Sequence, residues 1–356
     1  VVAVELVRVR LPLRTPLRAA HGTEAERDVV LVRVVDRVGI EGWGECSALA
    51  RPTYTAEHTA GAWAVLVDEL VPALLAGERS PVVGHPMAKA SLATALADLS
   101  ARAAGRPLAS RLGGTRPSVP TTAVVGLDDD LDTLLARVGE AVEAGASMVK
   151  VKIRPGLDVE ALRAVRGAFA ELPLAADANG AYGSAEEVPV AALDALGLAY
   201  LEQPLPADDL VGAARLAARM GTPLALDESV GSAGRLEAAL ALGALRVLNV
   251  KPARVGGPAE AVSLGRRAVE HGVEAFVGGM LETGVGRAAA LAVASVPVFA
   301  LPTDLGPSSR YFAEDLTTPI ELVEGRLPVP TGPGLGVRPV PELLARRVVD
   351  RLLLRA

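Results

Sequence analysis

Five side chains in the middle of the chain recur at nearly one interval. Lys152, Asp177, Glu202, Asp227 and Lys251 are separated by 25, 25, 25 and 24 residues. Three carboxylates brought to one point repel each other and are costly to desolvate without a counter-charge. An all-oxygen set of this kind suits a hard divalent cation, Mg²⁺ or Mn²⁺. Lysines on either side of it suit proton chemistry at a carbon next to a carboxylate. The metal stabilises the enediolate, and a lysine of lowered pKa takes the proton. Read alone, any one of the acids is equally a helix N-cap at a strand–helix turn. The shared period is what argues for joint use.

The polar inventory singles out the same stretch. Of 36 basic residues only Lys89, Lys150, Lys152 and Lys251 are lysine, and the only amides are Asn179, Gln203 and Asn249. Arginine keeps charge but cannot give up a proton, whereas a desolvated lysine can. Lys89 reads as a surface residue. Lys150 shares the strand face of Lys152 by the two-residue alternation. It therefore either lowers the pKa of Lys152 or pairs with the acids.

The elements that must place these residues follow from apolar periodicity. Residues 1–46 read as antiparallel strands (4–13, 27–36 and 40–46), followed by helices near 57–76 and 87–104. From about 119 short apolar runs alternate with amphipathic helices. Strands are expected at 121–125, 148–153, 173–177, 199–202, 223–227, 246–251, 274–278 and 298–301. Helices are expected at 129–144, 158–170, 184–196, 208–219, 232–242, 258–271 and 284–295. This α/β pattern reads as a (β/α) barrel. Each of the five spaced residues then sits at the C-terminal end of a consecutive strand, where barrel enzymes keep their chemistry. No Gly-x-Gly-x-x-Gly opens a helix after the first strand, against a dinucleotide-binding sheet. The division expected is 1–118 α+β cap, 119–319 barrel, and 320–356 a tail of short strands and an Arg-rich helix packing on the cap.

Lys150-Val-Lys152, Asp177-Ala-Asn179, Glu202-Gln-Pro204, Asp227-Glu228-Ser229 and Lys251-Pro252 together resemble the signature of the muconate-lactonizing subgroup of the enolase superfamily. Lys251 to Gly257, Gly278 to Gly284, Phe312 to Asp315 and Thr23 to Arg33 resemble its o-succinylbenzoate synthases and N-acylamino acid racemases. The resemblance implies a (β/α)₇β TIM-like barrel with an α+β capping domain built from both termini. It implies Asp177, Glu202 and Asp227 as metal ligands, and Lys152 and Lys251 as the residues on the two faces of the substrate. Asn179, Glu228 and Glu282 are implied as substrate contacts or supports of the ligands, with Met280 beside Glu282. The implied reaction is syn-dehydration of the succinyl-hydroxycyclohexadiene carboxylate of menaquinone biosynthesis. The alternative is racemisation of N-succinyl or N-acyl amino acids, alone or as a second activity. A dipeptide epimerase is disfavoured because Asp304 stands alone where that branch shows an Asp-x-Asp pair. A muconate cycloisomerase and a non-catalytic metal-binding barrel are lesser alternatives. Val124 is apolar where relatives are expected to carry a small hydroxyl residue. Arg254 resembles a residue of the racemase-capable branch, and reads equally as a surface arginine.

The loops 19–23 and 49–55 are expected to set specificity. In them His21, Arg51 and Tyr54 either touch substrate or are ordinary exposed residues. His58, His85 and His271 read as structural or exposed, and Met280 and Phe276 as core. A net charge of −6 gives no electrostatic footprint for nucleic acid or anionic lipid. A single cysteine, Cys46, excludes a disulfide framework. No segment is expected to span a membrane, since the apolar run 288–302 is short and broken by Pro297. A cytoplasmic enzyme acting on a small carboxylate is expected, with assembly into a homo-oligomer left open.

Overall fold

A computed structural model of the chain describes residues 1–19 and 22–356. The N-terminal part forms β1 (Ala3–Ala19), β2 (Gly22–Val35) and β3 (Glu41–Cys46), with antiparallel pairing of β1 to β2 and β2 to β3. β1 runs past the expected end, through a bulge between Pro12 and Leu17. Alternation sends Val4, Leu6, Val30 and Val32 to one face. There they meet Leu66 and Leu70 of α1 (Thr59–Ala76) and Met87 of α2 (Pro86–Ala103). α1 widens into a π-turn over Leu66–Leu70, just before Pro72. Proline offers no N–H and crowds the preceding turn, so a regular i→i−4 ladder cannot continue there. α2 lies directly on β3: a Cβ at Gly42 or Gly44 would meet a helix carbonyl at 2.1 or 2.0 Å. The sequence expectation of no span-length segment is corrected by α1. It is 18 residues long with mean hydropathy 1.5, long and apolar enough to cross a membrane on those criteria alone. Here its apolar face covers the sheet.

After α3 (Leu108–Leu112) and β4 (Ser118–Pro120) come seven parallel strands. They are β5 (Thr122–Val125), β6 (Met148–Lys152), β7 (Leu174–Asp177), β8 (Leu201–Glu202), β9 (Leu224–Leu226), β10 (Val247–Val250) and β11 (Glu274–Val277), paired in chain order. Helices α4 (Leu131–Glu143), α5 (Val159–Ala168), α6 (Val190–Asp194), α7 (Leu210–Ala217), α8 (Ala233–Leu242), α9 (Pro258–Glu270) and α10 (Gly284–Ala294) follow them in turn. α6 is shorter than expected because Pro189 sets its start. The sheet curls into a TIM-like barrel. Its floor alternates small and large side chains, with Ala175 and Ala225 between Met148, Tyr200, Val247 and Phe276.

The eighth strand expected at 298–301 is absent among the described residues. Closure instead comes from residues 301–304. Thr303 bridges Thr121, the Thr122 amide donates to the Thr303 carbonyl at 2.8 Å, and the Asp304 amide to Val277 at 3.2 Å. Pro297 and Pro302 remove donors that a regular strand would need. Beyond lie α11 (Ser308–Tyr311), β12 (Arg326–Pro328), α12 (Pro341–Arg347) and β13 (Val348–Arg355). The expected terminal helix is thus α12 alone, and the last residues form a strand. β13 pairs antiparallel with β1 and forms an edge of the cap sheet.

Two buried residues tie the cap to the barrel loop after β11. Arg27 donates to the carbonyls of Ser47 and Leu281 at 2.6 and 3.3 Å. Glu45 accepts from the amides of Thr283 and Gly286, at 3.1 and 3.0 Å, and so caps α10 from another element.

Candidate active site

Lys150 and Lys152 share the inner face of β6, and Lys152 lies opposite Asp177 of β7 in register. Asp177 in turn lies opposite Glu202 of β8. Asp227 and Lys251 are the first residues past the ends of β9 and β10. The spacing of the sequence therefore becomes a row around the barrel mouth. Lys152, Lys251, Lys150, Asp177, Asn179 and Glu202 line one pocket, with Tyr54, Met280 and Glu282 from above.

The charges are closely paired. Lys152 Nζ donates to Asp177 Oδ2 and Asn179 Oδ1, both at 2.6 Å. Lys150 Nζ donates to Glu202 Oε2 and Asp304 Oδ2, both at 2.6 Å, and lies 3.7 Å from Asp177. Lys251 Nζ donates to Asp227 Oδ2 and Tyr54 Oη, both at 2.9 Å. Arg254 forms an ion pair with Asp227 at 2.8 Å and donates to the same tyrosine hydroxyl. It is buried, which excludes the surface reading. Asn179 donates to Glu228 Oε1 at 2.9 Å.

Burial and neighbours push the acids apart. Burial raises Glu202 to about 8; Lys150 opposes this, while Asp177, Asp304 and Asp227 add to it. Burial and then Asp227 push Glu228 up to about 7. Burial acts against ionised Asp227 too, but Arg254 and Lys251 outweigh it and hold the carboxyl well below its usual range. Burial works against charge on Lys150 and Lys251, yet their carboxylate partners hold both firmly protonated.

The amides brace the row. Gln203 Oε1 accepts from the amides of Asp227 and Ser229, and its Nε2 donates to Leu205 and Ser229. Asn249 donates to Glu202 Oε1 at 2.7 Å. The chain passes so close at Gly278 that a Cβ would sit 2.2 Å from Asn249 Oδ1.

Met280 is buried at the seam with the cap and its amide donates to Glu282 Oε1. Val124 lines the pocket, and Phe276 belongs to the barrel floor. His21 lies outside the described residues. Sequence reasoning passed over Asp304 as a partner of Lys150, and Arg287 and Arg310 in the pocket wall. Their signal was position, just after the seventh strand and the closing segment, without a motif.

The donor set fits a divalent cation in its chemistry. Five carboxylates (Asp177, Glu202, Asp227, Glu228 and Asp304) face four cationic groups (Lys150, Lys152, Lys251 and Arg254). Glu228 Oε2, Asn249 Oδ1 and Asp304 Oδ1 are buried acceptors with no hydrogen-bond donor among the described residues. Among those residues no three acids converge as a closed metal set, and Lys150, Lys152 and Lys251 are ion-paired with Glu202, Asp177 and Asp227.

Known proteins share this architecture over the whole length. Residues 1–113 match the N-terminal domain of mandelate racemase and muconate lactonizing enzyme, and residues 133–343 the enolase C-terminal domain-like family. An N-succinylamino acid racemase of Amycolatopsis is 46% identical over 96% of this chain and 95% of its own. An o-succinylbenzoate synthase of Geobacillus kaustophilus is 41% identical over 94% and 92%. A solved enolase-superfamily member from Listeria innocua superposes with a TM-score of 0.95 at 34% identity, covering 99% and 98% of the two chains. Enzymes of this superfamily generally depend on a divalent metal. The chain is an enzyme and belongs to the enolase superfamily, with the N- and C-terminal domains of the mandelate racemase and muconate lactonizing type.

Proposed function

We propose that this enzyme is an o-succinylbenzoate synthase, dehydrating a succinyl-substituted hydroxycyclohexadiene carboxylate. The observation that carries this reading is the unequal holding of the two lysines. Lys251 is fixed by Asp227 and Tyr54 beside Arg254 and stays a cation. Among the described residues Lys152 meets only Asp177 and Asn179, at the pocket wall. A syn-elimination needs one lysine to exchange protons and a second to remain charged. Asp177, Glu202 and Asp227 would hold a divalent cation, Mg²⁺ by its preference for carboxylate oxygen. When bound, it would offset charge developing on the substrate carboxylate. Lys152 Nζ would take the α-proton and return a proton to the departing hydroxyl on the same face. Lys251 Nζ would face the opposite side as a fixed cation, and Tyr54 would close the mouth over it. Lys150 would keep Glu202 oriented through their 2.6 Å contact. A small-molecule carboxylate is the only partner this reading needs, and the cytoplasm is its expected setting.

A second activity, racemisation of N-succinyl amino acids, is favoured by the 46% identity to the Amycolatopsis racemase and by the charge of Arg254, which opposes protonation of Lys251. There Lys251 would itself exchange a proton. The test is loss of the cyclohexadiene absorbance with Mg²⁺, beside deuterium uptake by N-succinyl amino acids. Lys152→Ala is expected to lower both rates at least 1000-fold, on the order of a lost general base. Lys251→Arg is expected to cut racemisation at least about tenfold more than dehydration. Equal losses would overturn the fixed-cation role, and no dehydration by the wild type would leave the racemase.

A further inference from the structure

The cations lining the pocket are not all matched. Lys150 faces Glu202 and Asp304, Lys152 faces Asp177, and Lys251 faces Asp227. Arg287 faces Asp315 at 3.2 Å and also holds the Glu282 carbonyl and Ser308, so it is committed to the fold. Arg310 alone of the lining cations has no carboxylate within ion-pair distance among the described residues. Among the described residues its guanidinium makes one hydrogen bond, from Nη2 to the Val124 carbonyl of β5. Its guanidinium stacks 5.5 Å from the centre of the Tyr311 ring, and Arg287 lies over the same ring at 5.2 Å. The carbonyl and the ring fix the plane of the group while most of its five N–H donors are left for a ligand. Val124 is in register with Lys150, so Arg310 stands one strand to the β5 side of the lysine row, away from Lys251.

We propose that Arg310 recognises a second carboxylate, the one at the far end of the succinyl chain. The substrate class is therefore dianionic: one carboxylate at the reacting carbon beside Lys152, the other on the Arg310 fork. This rests on the succinyl group that both readings of the function share, and it does not depend on which reaction follows. A planar guanidinium matches a carboxylate with two parallel hydrogen bonds, which a neutral amide cannot reproduce.

The test compares N-succinylglycine with its terminal amide, an isostere without the second charge. Each is titrated calorimetrically into Mg²⁺-loaded wild type, Arg310→Gln and Arg310→Lys. The wild type is expected to prefer the acid by about 10–100-fold, the range of hydrogen bonds to charged groups. Arg310→Gln should abolish that preference while binding the amide as the wild type does, and Arg310→Lys should keep part of it. Equal binding of acid and amide by the wild type would overturn the assignment, as would binding of neither. So would a variant that loses both ligands alike, since a merely structural arginine behaves that way. Turnover assays with the cyclohexadiene and with N-succinyl amino acids separate the two claims. A wild type that prefers the acid but turns over neither substrate keeps the Arg310 role and refutes the proposed function.

Discussion

Gln203 shows how a residue remote from proton transfer fixes those that perform it. Its backbone is in the left-handed region at φ 37°, and its side-chain amide has a partner on every side it uses. The carbonyl end gathers the amides at Asp227 and Ser229, and the amino end meets an oxygen of Leu205. A carboxylate of the same shape satisfies the first half and opposes the second. Gln203→Glu is therefore expected to cost about 2–3 kcal/mol in urea unfolding, the scale of an unsatisfied or repelled buried group. Weaker Mg²⁺ binding should accompany it, read by isothermal titration, because Asp227 moves with the brace. This part of the site was legible in the sequence: Asn179, Gln203 and Asn249 are the chain's only amides, and all three contact site carboxylates or the backbone that carries them. Arg310 was not legible, since one arginine among 32 has no distinguishing neighbour until the fold brings it to Val124.

Between elements, the contact that matters most for the pocket is the one from β3 to α10. Among the described residues Glu45 receives only donors there: two amides and the hydroxyls of Ser47 and Thr283. Burial nevertheless lifts its carboxyl to about 7; Glu282 adds to the lift, and the donors oppose it. A carboxyl whose folded pKa lies above its unfolded value contributes most stability at pH below that unfolded value, about 4.3. The contribution then falls as pH rises towards 7 and stays level above. Glu45→Gln has no such titration. The stability of the wild type relative to this variant should drop by up to about 3 kcal/mol between pH 4.5 and 7.5. Chemical unfolding at several pH values checks this, and a flat difference would contradict it. The barrel helices and strands were readable because buried strands are short apolar runs and their helices amphipathic. The closing segment at 301–304 is not legible in the sequence because proline breaks the pattern there. β13 reads as helix from the sequence because its Arg and Leu residues favour either state until β1 offers an unpaired edge.

At the scale of the whole molecule the cap and the barrel meet where substrate must enter, with Tyr54 from one and Lys251 from the other joined at 2.9 Å. The ring beneath is sealed by backbone bonds of Thr303 and Asp304, not by a full strand. The residue that completes the seal also supplies a counter-charge to Lys150, through Asp304 Oδ2. Breathing of the seam and loss of the catalytic charge balance are therefore one event. A molecule opened there has a buried ammonium with one carboxylate fewer, before any helix has melted. In mild denaturant, hydrogen exchange at the Thr122 and Thr303 amides should rise together with loss of activity, ahead of exchange in β6 to β8. Activity that outlasts protection of those amides would separate the two. Such a seam makes the enzyme its own fold sensor: partly opened chains lose turnover before they lose their secondary structure.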